Sequence, residues 1–116
     1  MQKYRRKTGT VYEQAVGYYL EQQGYEILVY NYRCRFGEID LIGKDGEYLV
    51  FCEVKYRKNQ RKGSPLDAVD KKKQQKIIQC AKYYLLEHQA WGIPCRFDVI
   101  GIDGSRLIHI ENAFEC

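Results

Sequence analysis

The chain has 116 residues, a formal net charge of +4, 45% hydrophobic residues and 14% aromatic residues. That length suits one domain, spanning 1–116, with a real core and excludes two. The apolar content excludes a disordered chain, and no apolar run is long enough to span a bilayer.

In chain order, Thr10-Val11-Tyr12-Glu13 has the spacing of a capping box and predicts the start of a helix. Val11, Ala15, Tyr18, Tyr19 and Leu20 recur at helical spacing, and Gly24 supplies the stop. A β-rich run from Tyr25 to Asn31 follows, then a second from Gly37 to Ile42. Asp45-Gly46 is a turn signal, and Tyr48 to Lys55 predicts a third strand, forming a hairpin with the second. Residues 56–63 are too polar to pack and read as a loop. Ser64-Pro65 predicts a helix start, continuing to about Glu87, with Leu66, Val69, Ile77, Cys80, Ala81, Tyr84 and Leu85 as an apolar stripe that Lys71 to Lys73 interrupt. Arg96 to Ile102 and Arg106 to Ile110 predict two further strands, separated by Asp103-Gly104. The order α-β-β-β-α-β-β implies a mixed sheet flanked by helices, α/β in class.

The five cysteines, Cys34, Cys52, Cys80, Cys95 and Cys116, form no C-x-x-C pair. That scatter fits free thiols rather than a zinc or disulfide framework. The basic N-terminus runs into Thr8-Gly9-Thr10 instead of the apolar stretch of a signal peptide, so a cytoplasmic protein is expected. Basic residues gather at 3–7, 55–62 and 71–76, three segments that either converge on one polyanion-binding face or form a solvated surface.

Asp40 lies in one predicted strand and Glu53-Val54-Lys55 in the next. Residues two apart share a strand face, so Glu53 pairs in direction with Lys55, and Glu38 with Asp40. Two acids and a lysine at adjacent strand positions suit Mg²⁺, which takes one or two protein carboxylates and keeps water and phosphate for the rest. A cross-strand ion-pair ladder would show the same residues. The apolar neighbours Ile39, Leu41, Ile42, Phe51, Cys52 and Val54 argue for purpose, because charges set in apolar strands are costly. Asp98, sharing a strand face with Arg96, reads as an ion pair, and His88 and His109 read as structural.

Gly9, Glu13, Leu20-(x)3-Gly24-Tyr25, the GEIDLI block at 37–42, the FxEVKxR block at 51–57, Val69-(x)3-Lys73 and Cys95-Arg96-Phe97-Asp98-Val99 together resemble the YraN-like family of small bacterial proteins. That family is similar to the archaeal Holliday-junction resolvases of the PD-(D/E)XK nuclease superfamily. The resemblance implies a restriction-endonuclease-like αβββαβ core and a metal-dependent endonuclease acting on DNA, with branched or structured DNA as candidate substrate. It assigns Asp40 and Glu53 as metal-binding acids, Lys55 as the lysine of the D/E-x-K element, and Glu13 as a further catalytic and metal-binding acid. Glu13 is equally explained as the capping-box residue. Mg²⁺ or Mn²⁺ is the implied cofactor, and Arg57, Lys58, Arg61, Lys62 and Lys73 are candidate phosphate contacts. Resolvase relatives imply a homodimer. Ile39 stands where the superfamily name has proline. A non-catalytic nucleic-acid-binding module on the same fold is the alternative.

Overall fold

The computed structural model describes residues 10–57 and 63–115. Helix α1 (Val11–Gln22) opens on the expected capping box: Glu13 N–H donates to Thr10 Oγ1 at 3.2 Å, and Thr10 N–H donates to Glu13 Oε1 at 2.9 Å. It closes on Gly24 at φ +95°, with Gly24 N–H bonded to Glu21 O and Tyr25 N–H to Leu20 O. Those two bonds satisfy carbonyls the helix itself cannot, and the positive φ is one glycine adopts without penalty.

The inward face of α1 differs from the expected one. Glu13, Val16, Gly17 and Leu20 are buried, whereas Val11 and Tyr18 are exposed. Of the apolar residues that marked the helix, Leu20 is on the buried face, and a Cβ at Gly17 would lie 1.8 Å from Tyr30 Oη. The helix therefore docks on its small residue, and larger neighbours are left outside.

Strands β1 (Glu26–Cys34), β2 (Gly37–Asp45), β3 (Tyr48–Arg57), β4 (Cys95–Asp103) and β5 (Arg106–Phe114) form one sheet in that spatial order. All neighbours are antiparallel except β3 and β4, which run parallel from Leu49↔Cys95 to Arg57↔Asp103. The mixed sheet with its helices bears out the predicted α/β class and αβββαβ arrangement. The Asp45-Gly46 signal is borne out too, since Asp45 pairs with Tyr48 across a two-residue turn with Gly46 at φ +62°.

The predicted helix from Ser64 to Glu87 is two elements. Ser64 caps a short 3₁₀ turn (Pro65–Ala68), the chain breaks at Val69-Asp70, and Asp70 caps helix α2 (Lys71–Glu87) by accepting from Lys73 N–H at 2.8 Å. Lys71 to Lys73 are thus the first turn of a new helix, which explains why they interrupt the stripe.

Two apolar clusters form, one on each side of the sheet. The first joins Ile39, Ile42, Leu49, Phe51, Phe97 and Val99 to Ile77, Cys80, Ala81 and Tyr84 of α2. The second joins Leu41, Val50, Cys52 and Ile100 to Val16 and Leu20 of α1. Among the described residues, no helix is long and apolar enough to cross a membrane.

Candidate active site at the fork between β2 and β3

Ile39 and Ile42 belong to the α2-side cluster, and Leu41 to the α1-side cluster. A regular strand would send Ile39 and Leu41 to the same side. Strand β2 therefore changes faces at Asp40. The opposite strand does the same: Tyr30 packs on the α1 side and Tyr32 on the α2 side, with Asn31 between them at φ +55°. The β1–β2 register pairs Tyr30 with Leu41 and Tyr32 with Ile39, omitting Asn31 and Asp40.

The β2–β3 ladder stops at the same place. Its last pair is Leu41↔Cys52, while β3 continues to Arg57 against β4. Beyond that point Val54 N–H donates to the Asp40 carboxylate, at 2.8 Å, where a strand carbonyl would otherwise stand. A side chain has replaced the backbone in the sheet, and the two strands fork around it.

Glu53 and Lys55 share the α2-facing side of β3, as strand parity predicts. Glu53 Oε2 lies 3.5 Å from Lys55 Nζ and 3.6 Å from Lys73 Nζ of α2. Lys73 owes its position to a chain of local features. Pro65 of the 3₁₀ turn sits against Gly101 of β4, where a Cβ would come within 2.4 Å of the proline ring. The turn delivers Asp70, and Asp70 fixes the first turn of α2 that carries Lys73.

Glu13 reaches the fork from α1. Its Oε1 accepts from Thr10 N–H and, at 3.0 Å, from Asn31 Nδ2. It thus caps its own helix and ties α1 to the irregular residue of β1. Glu38 pairs instead with Arg33, at 3.4 Å. The face change at Asp40 undoes the simple parity argument that grouped Glu38 with it.

The electrostatics follow from this crowding. Burial pushes the Asp40 carboxyl up to about 7, Glu53 pushes in the same direction, the Val54 N–H offsets part of it, and Glu13 and Glu38 add to the rise. Glu53 is also raised by burial, against the pull of Lys73 and Lys55. Asp40 and Glu53 are only 9% and 4% exposed. The fork thus concentrates negative charge in a low-dielectric place, which a cation would relieve.

Among the described residues, no three His, Cys, Asp or Glu side chains are gathered to hold a metal by themselves. Mg²⁺ does not require such a cage, because one or two carboxylates plus water and phosphate complete its octahedron. The all-oxygen donors of Asp40 and Glu53 fit such a hard cation.

The candidate phosphate contacts separate. Lys73 joins the acids, whereas Arg57 is committed to Asp103 (3.1 Å) and to Gly63 O. Lys58, Arg61 and Lys62 lie outside the described residues. Sequence reasoning missed Asn31, Asp70 and Gly101; a capping Asp immediately before a lysine run was the one local signal available. Beside the fork, Tyr12 and Tyr56 stack with ring centroids 4.0 Å apart, and both are partly exposed. They flank Glu13 and Lys55 in sequence.

Asp98, His109 and Arg96 make a separate network. Asp98 accepts from Arg96 Nε and Nη2, from His109 Nε2 and from Asn112 N–H, and His109 Nδ1 meets Tyr19 Oη. Ion pairing and a structural histidine were expected there, and that is what the contacts show.

The profile described as "Uncharacterised protein family UPF0102" matches residues 12–102. A UPF0102 protein of Lachnoclostridium phytofermentans is 46% identical over 112 residues, covering 96% of this chain and 95% of its own length. A UPF0102 protein of Psychromonas ingrahamii is 47% identical over 111 residues, covering 92% and 88%. One from Pseudomonas fluorescens is 44% identical over 100 residues, covering 84% and 83%.

Proposed function

Since this chain belongs to the UPF0102 family, whose name carries no activity, we propose a function from the site itself: a Mg²⁺- or Mn²⁺-dependent endonuclease that hydrolyses phosphodiester bonds in nucleic acid, with structured DNA as the preferred substrate. The observation that carries it is the fork. A sheet gives up a backbone pairing to hold Asp40 beside Glu53, with two lysine ammoniums at the same place. Carboxyls raised by burial, as Asp40 and Glu53 both are, cluster at functional sites.

In this reading Asp40 and Glu53 hold the cation through their carboxylate oxygens. When bound, the metal would supply charge neutralisation at the phosphate and a lowered pKa for its water. Lys55, fixed by Glu53, turns its ammonium toward the scissile phosphate and offsets the negative charge that develops there. Lys73 is only partly exposed and, once Glu53 engages a cation, is free to contact a neighbouring phosphate. Glu13 acts at one remove, through its cap and its bond to Asn31, which keep the face change of β1 and β2 in place. The Tyr12–Tyr56 stack offers a surface for an unpaired base beside the fork. On the resolvase resemblance, two symmetric cuts would come from a homodimer.

Incubation of the purified chain with single-stranded, duplex and four-way-junction DNA and with RNA, in Mg²⁺, Mn²⁺ or EDTA, tests this. Metal-dependent cutting lost in Glu53→Ala and Lys55→Ala is expected. One observation favours a binding-only protein: Glu53 already meets two ammoniums, so its charge is met without a metal. Salt-dependent gel shifts with no cutting in any metal would establish that reading instead.

A further inference from the structure

The two sulfurs Cys34 Sγ and Cys80 Sγ lie 2.9 Å apart, joined in one hydrogen bond across 46 positions of sequence. One sits at the end of β1 and the other midway along α2. A disulfide needs sulfurs about 2.05 Å apart, so a relative shift of under about 1 Å closes the bond. Cys52, by contrast, is fully buried on the α1 side of the sheet.

We propose that Cys34 and Cys80 form an intramolecular thiol-oxidation site whose reactant is a low-molecular-weight disulfide of the glutathione type. The two thiols divide the work. Cys34 is partly exposed, so an incoming disulfide can reach it, and it accepts a hydrogen bond from Phe36 N–H at 3.4 Å. Cys80 is fully buried, and burial together with its bond to Cys34 pushes its thiol up to about 12. Cys34 is therefore the entry point and Cys80 the resolving thiol.

The Cys34 thiolate attacks one sulfur of the reactant disulfide, that S–S bond breaks, and one thiolate leaves and takes up a proton. Cys80 gives its proton to water and attacks Cys34 Sγ of the mixed disulfide. The second small thiol is expelled. Two protein thiols are oxidised and one small disulfide is reduced to two thiols. The closed loop encloses Asp40, Glu53, Lys55 and Lys73, and it pins to β1 the helix that carries Lys73. The site stands independently of any nuclease activity.

The full chain would be incubated with oxidised glutathione, acid-quenched, and examined by intact mass and by peptide mapping without reductant. The expected result is a Cys34–Cys80-linked peptide, a loss of about 2 Da through two hydrogens, reversal by dithiothreitol, and a Tm several degrees higher in the oxidised form. Cys80→Ala is expected to trap a stable glutathione adduct on Cys34, and Cys34→Ala to leave Cys80 unmodified. Circular dichroism of each variant ensures that a folded chain is being read. Wild-type protein that keeps both thiols, carries an unresolved adduct on Cys34, or links only between chains would overturn the proposal.

Discussion

Two buried acidic centres share this sheet, and their chemistry is opposite. Asp98, 1% exposed, would be raised by burial alone, yet bonds from His109, Arg96 and the Asn112 N–H outweigh that and hold its carboxyl below the ordinary value. Asp40, 9% exposed, meets one backbone N–H and several other carboxylates, and its carboxyl rises to about 7. Burial is similar in both; partner supply differs. A carboxylate surrounded by donors consolidates a fold, whereas one left short of them is a place where the fold tolerates cost. That contrast separates a structural cluster from a candidate active site more sharply than the presence of acids does.

The largest way to test the contrast is to break the satisfied cluster. Asp98→Ala removes the shared acceptor of Arg96, His109 and the Asn112 N–H and leaves the largely buried Arg96 side chain with Asp45 as its near acid. A loss of about 3–5 kcal/mol is expected in urea unfolding. Next comes the unsatisfied centre. Lys55→Ala is expected to lower metal-dependent cutting by about 100-fold or more, while costing little stability because Lys73 still serves Glu53. Single-turnover cleavage beside a thermal melt reads both effects.

Asp40→Asn is expected to move stability the other way. The folded Asp40 carboxyl titrates near 7, above its ordinary value of 3.8. A raised carboxyl favours folding below the unfolded pKa, and that advantage is lost as pH climbs through the folded one. At pH 8 the ionised, crowded carboxylate is therefore a net cost, and Asn removes it while still accepting from Val54 N–H. A gain of about 1–2 kcal/mol at pH 8, shrinking toward nothing by pH 4, is expected in melts run in EDTA. Activity should vanish in the same variant. A loss of stability at pH 8 would mean that the fork is as well satisfied as the Asp98 cluster. The smallest effect is expected from Tyr12→Ala, which removes the stack on Tyr56 at about 0.5–1.5 kcal/mol in unfolding.

Much of the local structure was legible from residue order. The Thr10–Glu13 capping box, the Gly24 stop, the Asp45-Gly46 hairpin and the common face of Glu53 and Lys55 all depend on neighbours within a few positions. Errors arose where a distant residue decided. Apolar spacing marked α1 through Val11 and Tyr18, which stay exposed, because the helix docks at Gly17 beneath Tyr30. Reading one long helix from Ser64 overlooked Asp70, and with it the device that aims Lys73. Arg57 read as a phosphate contact, but its charge is claimed by Asp103 on the adjacent parallel strand.

By itself, then, the sequence determined the element order, the α/β class and the residue types at the centre, because periodicity, caps and turns are short-range physics. Tertiary structure alone decided that β1 and β2 change faces together at Asn31 and Asp40. It also decided that Asp40 replaces a strand carbonyl for Val54, and that two lysines from different elements meet Glu53. Strand parity assumes an unbroken pleat, and the pleat breaks at the residue on which the proposed chemistry depends.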